Sequence, residues 1–532
     1  MNWTDSGNMG MTVRRLILGL LTVLAIALMG SSLIQSWNQP QIENQLELYQ
    51  TNLILHASEW TPDADKTSNL TIVRQTLVGT DPIEAVFHSY QDSRQSVEKN
   101  LESLLPNPNE RPSPSSQPPV SEAGVPTTKS IRRLKGLLNQ FDLKIGILQT
   151  QLDEVDGAIG TWSNLTARLQ SSIPMNADID AIDSYTATLL TGMWSQPPRL
   201  LPDGEQWLNT HLEGWFRYKT LTRLYELQQR QDSLNTLQIE QQHLALQALQ
   251  QLLAISALPI GGCFMGGGLI IFLLIQKLLT GDRAILSQNG NRPFPIPWDW
   301  EMIWQIGVGC FWCIGQVVVG QILVPVIFRL FQLQVDGNPR LQAFSILVYY
   351  VLVALSVILA IYWSVERYVP LPEGALPISL SGKWFWWGLG GYCTALPLVI
   401  LVSFVNQKIW QGQGGSNPIL PIALEDKDPI AVFIFFVTAA IAAPLFEEFL
   451  FRGLLLGSLT RYLSMGWAIA LSGFMFALVH LNVSEVLPLT ILGMVLGFVY
   501  SRSRNLLAPI LLHGLWNGGT LVSLFILANG GG

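Results

Sequence analysis

Charge is what this chain is short of. Of its 532 residues, 13% are Asp, Glu, Lys or Arg and 49% are hydrophobic, whereas about a quarter of an average soluble domain is charged. An ordinary soluble globular protein is thereby excluded over much of the length. Basic residues are also outnumbered, 31 against 38 acidic, for a net charge of −7. Nucleic acid is not expected as a main partner, because phosphate binding needs a basic face. Cysteine is scarce: Cys263, Cys310, Cys313 and Cys393 all fall in apolar segments, so no disulfide framework is expected. Cys310 and Cys313 form a CxxC, but inside a long hydrophobic stretch, where packing is the expected role. HExxH is missing, and Ser472 and Gly473 occur as LSGF, which lacks the GxSxG elbow of soluble hydrolases.

What the chain has instead is long apolar runs. The first, residues 16 to 37, follows Arg14 and Arg15. The charged start resembles a signal peptide, yet the run is long enough to span a bilayer and shows no convincing small-residue cleavage site. We expect an uncleaved anchor over residues 1–37. From 254 onward the chain reads as polytopic, with spans near 254–276, 302–328, 342–363, 384–406, 430–456, 466–482, 486–501 and 505–528. With the anchor that makes nine. GMVLG at 493 to 497 suits close helix packing. The fold class expected is an all-α polytopic membrane bundle with an extramembrane helical region.

That region is residues 38–253. Its Pro- and Ser-rich stretch, 106 to 128, reads as a linker unable to hold a helix or a strand ladder. Beyond it, two segments carry apolar residues at helical spacing, the second with leucines every three or four residues. A helical bundle or coiled-coil hairpin is one reading; a platform for partner helices on residues 130–250 is the other. His56, His88, His211 and His243 are scattered, which favours surface or packing roles. If all nine segments cross, one side collects Arg14, Arg15, Lys277, Arg283, Arg292, Arg367, Lys383, Arg452, Arg461, Arg502 and Arg504. The other holds Arg329, Arg340, Lys408 and Lys427. This bias favours a cytoplasmic N-terminus and puts 38–253 on the opposite side.

Within the spans the polar residues are few and grouped. Glu447 and Glu448 are the acids of the second half that fall neither in loops nor at span ends, and its two histidines, His480 and His513, lie in apolar segments. A charge inside a membrane helix costs about 2.5–3.5 kcal/mol on insertion scales and usually marks a site. Glu448 and Arg452, four apart, share a helix face and can pair, a neutralising role in itself. Glu447 points about 100° away and must find a partner on another helix or keep its proton by desolvation. FALVH sets Phe476 four residues before His480, and HGLWN does the same for His513 and Asn517.

EEFLFRG, FALVH and HGLWN, in this order, resemble the EExxxR, FxxxH and HxxxN motifs of the CPBP family of intramembrane proteases. That family includes the CAAX prenyl endopeptidases and bacterial Abi proteins. The resemblance covers about residues 430 to 525, so 430–528 is expected to be the catalytic core, preceded by membrane helices over 254–429. It implies a peptide hydrolase acting on membrane-associated or lipid-anchored proteins through an activated water. It further implies that Glu447 is the general base, helped by His480, and that His513 and Asn517 donate to the oxyanion. Glu448 and Arg452 would orient and balance these groups. No cofactor is expected. An older reading of the family makes Glu447, His480 and His513 zinc ligands, which the residue types allow. Buried carboxylates and histidines also build proton relays in transporters, so a transporter and a silent scaffold stay open as other classes.

Overall fold

The computed structural model describes residues 4–37, 43–61, 69–104, 124–171, 177–290, 292–331, 338–410, 414–415 and 428–529. Every regular element among them is a helix. The chain divides into two compact units. One comprises Met1–Gln41 and Ala257–Phe525, the other Ile42–Ser256 and Ile526–Gly532.

The second unit contains α2 (Glu43–Ser58), α3 (Asn69–Val78), α4 (Pro82–Leu104), α5 (Gly124–Gln151), α6 (Val155–Ser171), α7 (Ala177–Trp194), α8 (Gly204–His211) and α9 (Gly214–Leu227). Large aromatic side chains fill its core. Trp162 and Trp215 are fully buried and Tyr90 nearly so. Trp162 finds a hydrogen-bond acceptor in Leu143 O at 3.1 Å, as a buried indole requires. A side chain at Gly146 would run into that indole, so the small residue lets α5 and α6 close. Asp142 is buried and held by Arg94 at 2.5 Å and Arg168 at 2.6 Å. His56 is buried against Gln241, and His211 stacks on Trp207. The region is thus a packed multi-helix bundle. Most of the proposed linker, 106–123, lies outside the described residues. Its last five, 124–128, are helical, contrary to expectation. Pro126 falls in the first turn of α5, where a missing N–H leaves no helix bond unmade.

The first unit is the membrane bundle. Eight helices are long and apolar enough to cross a bilayer. They are α1 (Thr4–Trp37), α10 (Gln231–Thr280), α11 (Trp300–Leu330), α12 (Pro339–Val365), α13 (Trp384–Trp410), α14 (Pro429–Leu459), α16 (Val483–Ser503) and α17 (Leu507–Asn529). The ninth expected span is shorter than the sequence suggests. α15 covers only Met465–Leu478, 14 residues, or about 21 Å at 1.5 Å per residue. The polypeptide then leaves helical geometry through residues 479–482, with Leu481 at φ 60°. α15 packs along α16 at a point where Gly473 meets Gly493. A Cβ on either would strike the other's backbone, the close approach that small residues permit.

Several loops gather at one end of the bundle. Arg15 pairs with Glu301 at the start of α11, and Arg461 donates to Trp298 O at 2.8 Å. Arg504 bonds the backbone at Asn289 and Arg292, while Leu506 N donates to Pro377 O at 2.9 Å. The opposite end joins Val483 N to Ser36, Asn406 to Ser484 O, and Arg340 to Asp428. Arg452, counted above among the loop cations, is instead fully buried.

Candidate active site

The site begins with a local irregularity in α14. Pro444 has no N–H to give, and the helix meets it with a wide π-type turn over Thr438–Ala442, in which Ala443 N reaches back to Thr438 O. In that five-residue register the next carbonyl, Ala439 O, would take its hydrogen from residue 444. Proline cannot supply it. Asn517 of α17 does so instead, its Nδ2 donating to Ala439 O at 2.8 Å. One of the two amide hydrogens expected for the oxyanion is therefore committed to the helix backbone, where it ties α17 to α14.

After one regular turn, Ala443–Glu448, a second wide segment runs over Phe449–Leu456. The two glutamates lie at this junction and part ways as their spacing requires. Glu448 is completely buried and accepts from Arg452 Nη1 at 2.8 Å. Arg452, equally buried, also donates to Gly493 O at 3.1 Å and lies over the Phe476 ring, 4.5 Å from its centroid. A charge in such a place is tolerable only when paired and hydrogen-bonded. The side chain of Glu447 keeps 21% of its surface accessible. Its partner comes from another helix: Tyr350 of α12 donates to Glu447 Oε1 at 3.2 Å. Sequence reasoning missed Tyr350. It lies in an apolar run with no polar neighbour at helical spacing, so nothing local marks it.

His513 joins the two acids. Its Nδ1 is 2.8 Å from Glu448 Oε1, and its Nε2 lies 3.9 Å from Glu447 Oε2. A carboxylate only accepts, so Nδ1 carries the hydrogen and Nε2 faces the accessible acid. Phe476 supplies a hydrophobic wall, its ring 5.6 Å from His513 and 4.9 Å from His480, edge-on to both. His480 sits just past the end of α15, its Nδ1 2.8 Å from Phe476 O. A carbonyl cannot donate, so this ring nitrogen is also the protonated one and Nε2 is left with the lone pair.

Glu447, Glu448, Arg452 and His513 thus form one contact network. His480 reaches it through the Phe476 ring, and Asn517 stands one turn beyond His513. Among the described residues, no three His, Cys, Asp or Glu side chains converge as metal ligands would. His513 gives Nδ1–H to Glu448, which leaves Nε2 with the lone pair and facing Glu447. The expected zinc set, Glu447, His480 and His513, is not gathered into one such group among the described residues. Ser472, considered above as a nucleophile, donates to Phe451 O at 2.9 Å and is buried.

Comparison with known proteins bears on the same stretch. The model of the family described as type II CAAX prenyl endopeptidase Rce1-like matches residues 429–519. The membrane-embedded CAAX protease MroQ of Staphylococcus aureus (strain USA300) is 34% identical over 151 residues, 27% of this chain and 58% of that protein. YdiL of Bacillus subtilis (strain 168), named as a candidate membrane peptidase, is 29% identical over 87 residues, 16% of this chain and 36% of that protein. The chain thus spans about half the length of these curated relatives. A search of solved structures finds no match. The chain is an integral multi-pass membrane protein, and its residues 429–519 match the model of the Rce1-like CAAX protease family.

Proposed function

We propose that the protein is an intramembrane endopeptidase that hydrolyses peptide bonds of membrane-associated proteins with a water activated by glutamate and histidine. The observation that carries this reading is the placement of His513 between a buried, charge-balanced glutamate and an accessible one. Glu447 is the general base. It takes a proton from water as the water oxygen attacks the scissile carbonyl carbon, and the carbonyl electrons move onto oxygen. The proton then passes to the leaving amine as the C–N bond breaks.

The 3.9 Å gap between Glu447 Oε2 and His513 Nε2 brings both within hydrogen-bond reach of one reacting oxygen. His480, with Nε2 free to accept, helps to hold the water. His513 in its protonated form, and the second amide hydrogen of Asn517, donate to the developing oxyanion. Glu448 and Arg452 keep His513 oriented and its charge balanced.

The relatives' names point to proteins processed near a membrane-associated C-terminus, and substrates of this class, with or without a prenyl group, are the ones proposed here. A cytoplasmic N-terminus is supported by the gathering of Arg15, Arg292, Arg461, Arg502 and Arg504 at one end of the bundle. Such cationic loops favour the cytoplasmic face.

The test compares membrane-peptide cleavage products from cells expressing the wild-type chain and Glu447→Gln at equal level. Cleavages lost only in the variant support the protease and identify its substrate. Identical profiles, with the variant folded and the natural substrates present, move the assignment to transport or scaffolding. Metal dependence is decided separately: a chelated, metal-free preparation that still cleaves disposes of the zinc reading.

A further inference from the structure

A second feature of the membrane bundle lies away from the glutamates. The end of α10, the loop that follows it, the start of α13 and the last turns of α16 enclose a groove with a volume of about 260 Å³. Its walls are apolar, formed by Leu269, Phe272, Trp387, Val495 and Phe498, and its rim carries Gln288 and Lys383. Arg502 stands at the same rim. Its guanidinium lies 4.8 Å from the Phe498 centroid and donates to Gln288 O.

The rim is strongly cationic and lacks counter-charge. Arg504 neighbours Arg502, with its guanidinium 4.0 Å from the Phe294 centroid and bonded to backbone carbonyls of residues 289–293. Arg292 belongs to that same loop. Among the described residues, none of Arg292, Lys383, Arg502 and Arg504 forms an ion pair, and the buried Nε–H groups of Arg502 and Arg504 have no acceptor. Around that loop, Asp282 pairs with Lys277, Glu301 with Arg15, and Asp299 caps α11 by accepting from Met302 N. Two cations at the rim of an apolar groove, with two more in and beside the adjoining loop, call for an anion with a hydrocarbon tail. The WFWW run that opens α13, Trp384 to Trp387, sets the level of the groove, with Phe385 and Trp386 exposed. Trp386 is 69% exposed, the behaviour of an aromatic belt at headgroup depth.

We propose that this groove binds one anionic phospholipid. Lys383 and Arg502 hold its phosphate, and an acyl chain lies along Phe272, Trp387 and Phe498. The site is separate from Glu447 and independent of the proteolytic reading.

The experiment uses the full chain in detergent, exchanged against phosphatidylglycerol, phosphatidylcholine or inorganic phosphate, with retained molecules weighed by native mass spectrometry. The expected result is one phosphatidylglycerol retained by the wild type, with phosphatidylcholine retained at least tenfold less. Lys383→Glu, on an exposed side chain that carries no packing, lowers phosphatidylglycerol retention at least tenfold, and Lys383→Gln with Arg502→Gln does the same. Thr394 also lines the groove, and Thr394→Trp, which fills it and leaves the charges in place, removes the lipid as well. The exposed control pair Arg329→Gln and Lys408→Gln, at the other end, has no effect. Equal retention of the two lipids, or undiminished retention by Lys383→Glu, overturns the proposal. Retention of inorganic phosphate in place of phosphatidylglycerol overturns the lipid assignment and leaves a simple anion site.

Discussion

His513 Nδ1 lies 2.8 Å from Glu448 Oε1 while Nε2 of the same ring lies 3.9 Å from Glu447 Oε2. One imidazole therefore reads the charge of both acids, from α17 onto α14. Replacing Glu447 by Gln removes the accessible base but keeps its shape and its hydrogen bond from Tyr350. Turnover of the substrate identified by the peptide comparison is expected to fall about 10²–10⁴-fold, the range for losing a general base. The thermal midpoint should stay within a few degrees of wild type.

Glu448 and Arg452 should behave differently, because both are fully buried. Arg452→Met takes the guanidinium from a buried carboxylate that keeps only His513 Nδ1, at a cost of up to about 3–5 kcal/mol. The double variant Arg452→Met with Glu448→Gln removes both charges and is expected to recover much of that loss without recovering activity. Thermal unfolding of the two variants in the same detergent checks the ordering. A double variant no more stable than the single one would mean the ion pair is not what holds this part of the bundle.

Tyr350 is a positioning residue, since it touches Glu447 and no reacting atom. Tyr350→Phe keeps the ring and its edge-on contact with Phe446 but frees Glu447 Oε1. The freed carboxylate loses the bond that fixes its direction toward the reacting water. kcat should drop about tenfold with KM little changed, against the 10²–10⁴-fold loss for the base itself. A purely structural tyrosine would lower stability and leave kcat per folded molecule where it was.

Gly473 and Gly493 set the distance between α15 and α16. Gly493→Val should prevent assembly, because its side chain meets the backbone at Gly473 and Gly493 O also receives Arg452. The readout is the yield of monodisperse protein, with Gly466→Val as control. Nothing lies within 4 Å of a Cβ at Gly466, so that variant should express normally.

In the extramembrane unit, burial pushes the His56 imidazole down to about 4, partly opposed by its hydrogen bond with Gln241. The unfolded chain, with an ordinary histidine near 6.5, binds the proton first. Stability is therefore lost as pH falls from about 6.5 to about 4, by up to about 3 kcal/mol. Asp183 works the other way. Burial raises its carboxyl to about 6, so the folded state gains on acidification between about 6 and 4. His56→Gln isolates the histidine: unfolding midpoints taken between pH 7 and pH 4.5 should fall less steeply in the variant than in the wild type.

The class of this protein was legible in its amino acids alone. Apolar runs of span length have few physical solutions, since a backbone in hydrocarbon must satisfy its own hydrogen bonds. The i,i+4 spacing fixed the Glu448–Arg452 pair, and the residue step from 447 to 448 separated the roles of the two acids. Three features were beyond its reach, each because it depends on contacts between elements distant in the chain. The stretch expected to cross as 466–482 is a 14-residue helix followed by a turn, and His480 is carried on that turn. Hydropathy registers the apolar content of such a segment but not where its helix ends. Tyr350 reaches Glu447 across 97 residues, which no local pattern encodes. Asn517 reads in sequence as a donor on the face of His513, and the amide hydrogen it gives to Ala439 follows from the turn that Pro444 forces on a different helix. Composition and period chose the helices and most of the polar residues. Tertiary packing decided which of those residues meet, because a proton can move only between groups that the fold has brought within hydrogen-bond reach.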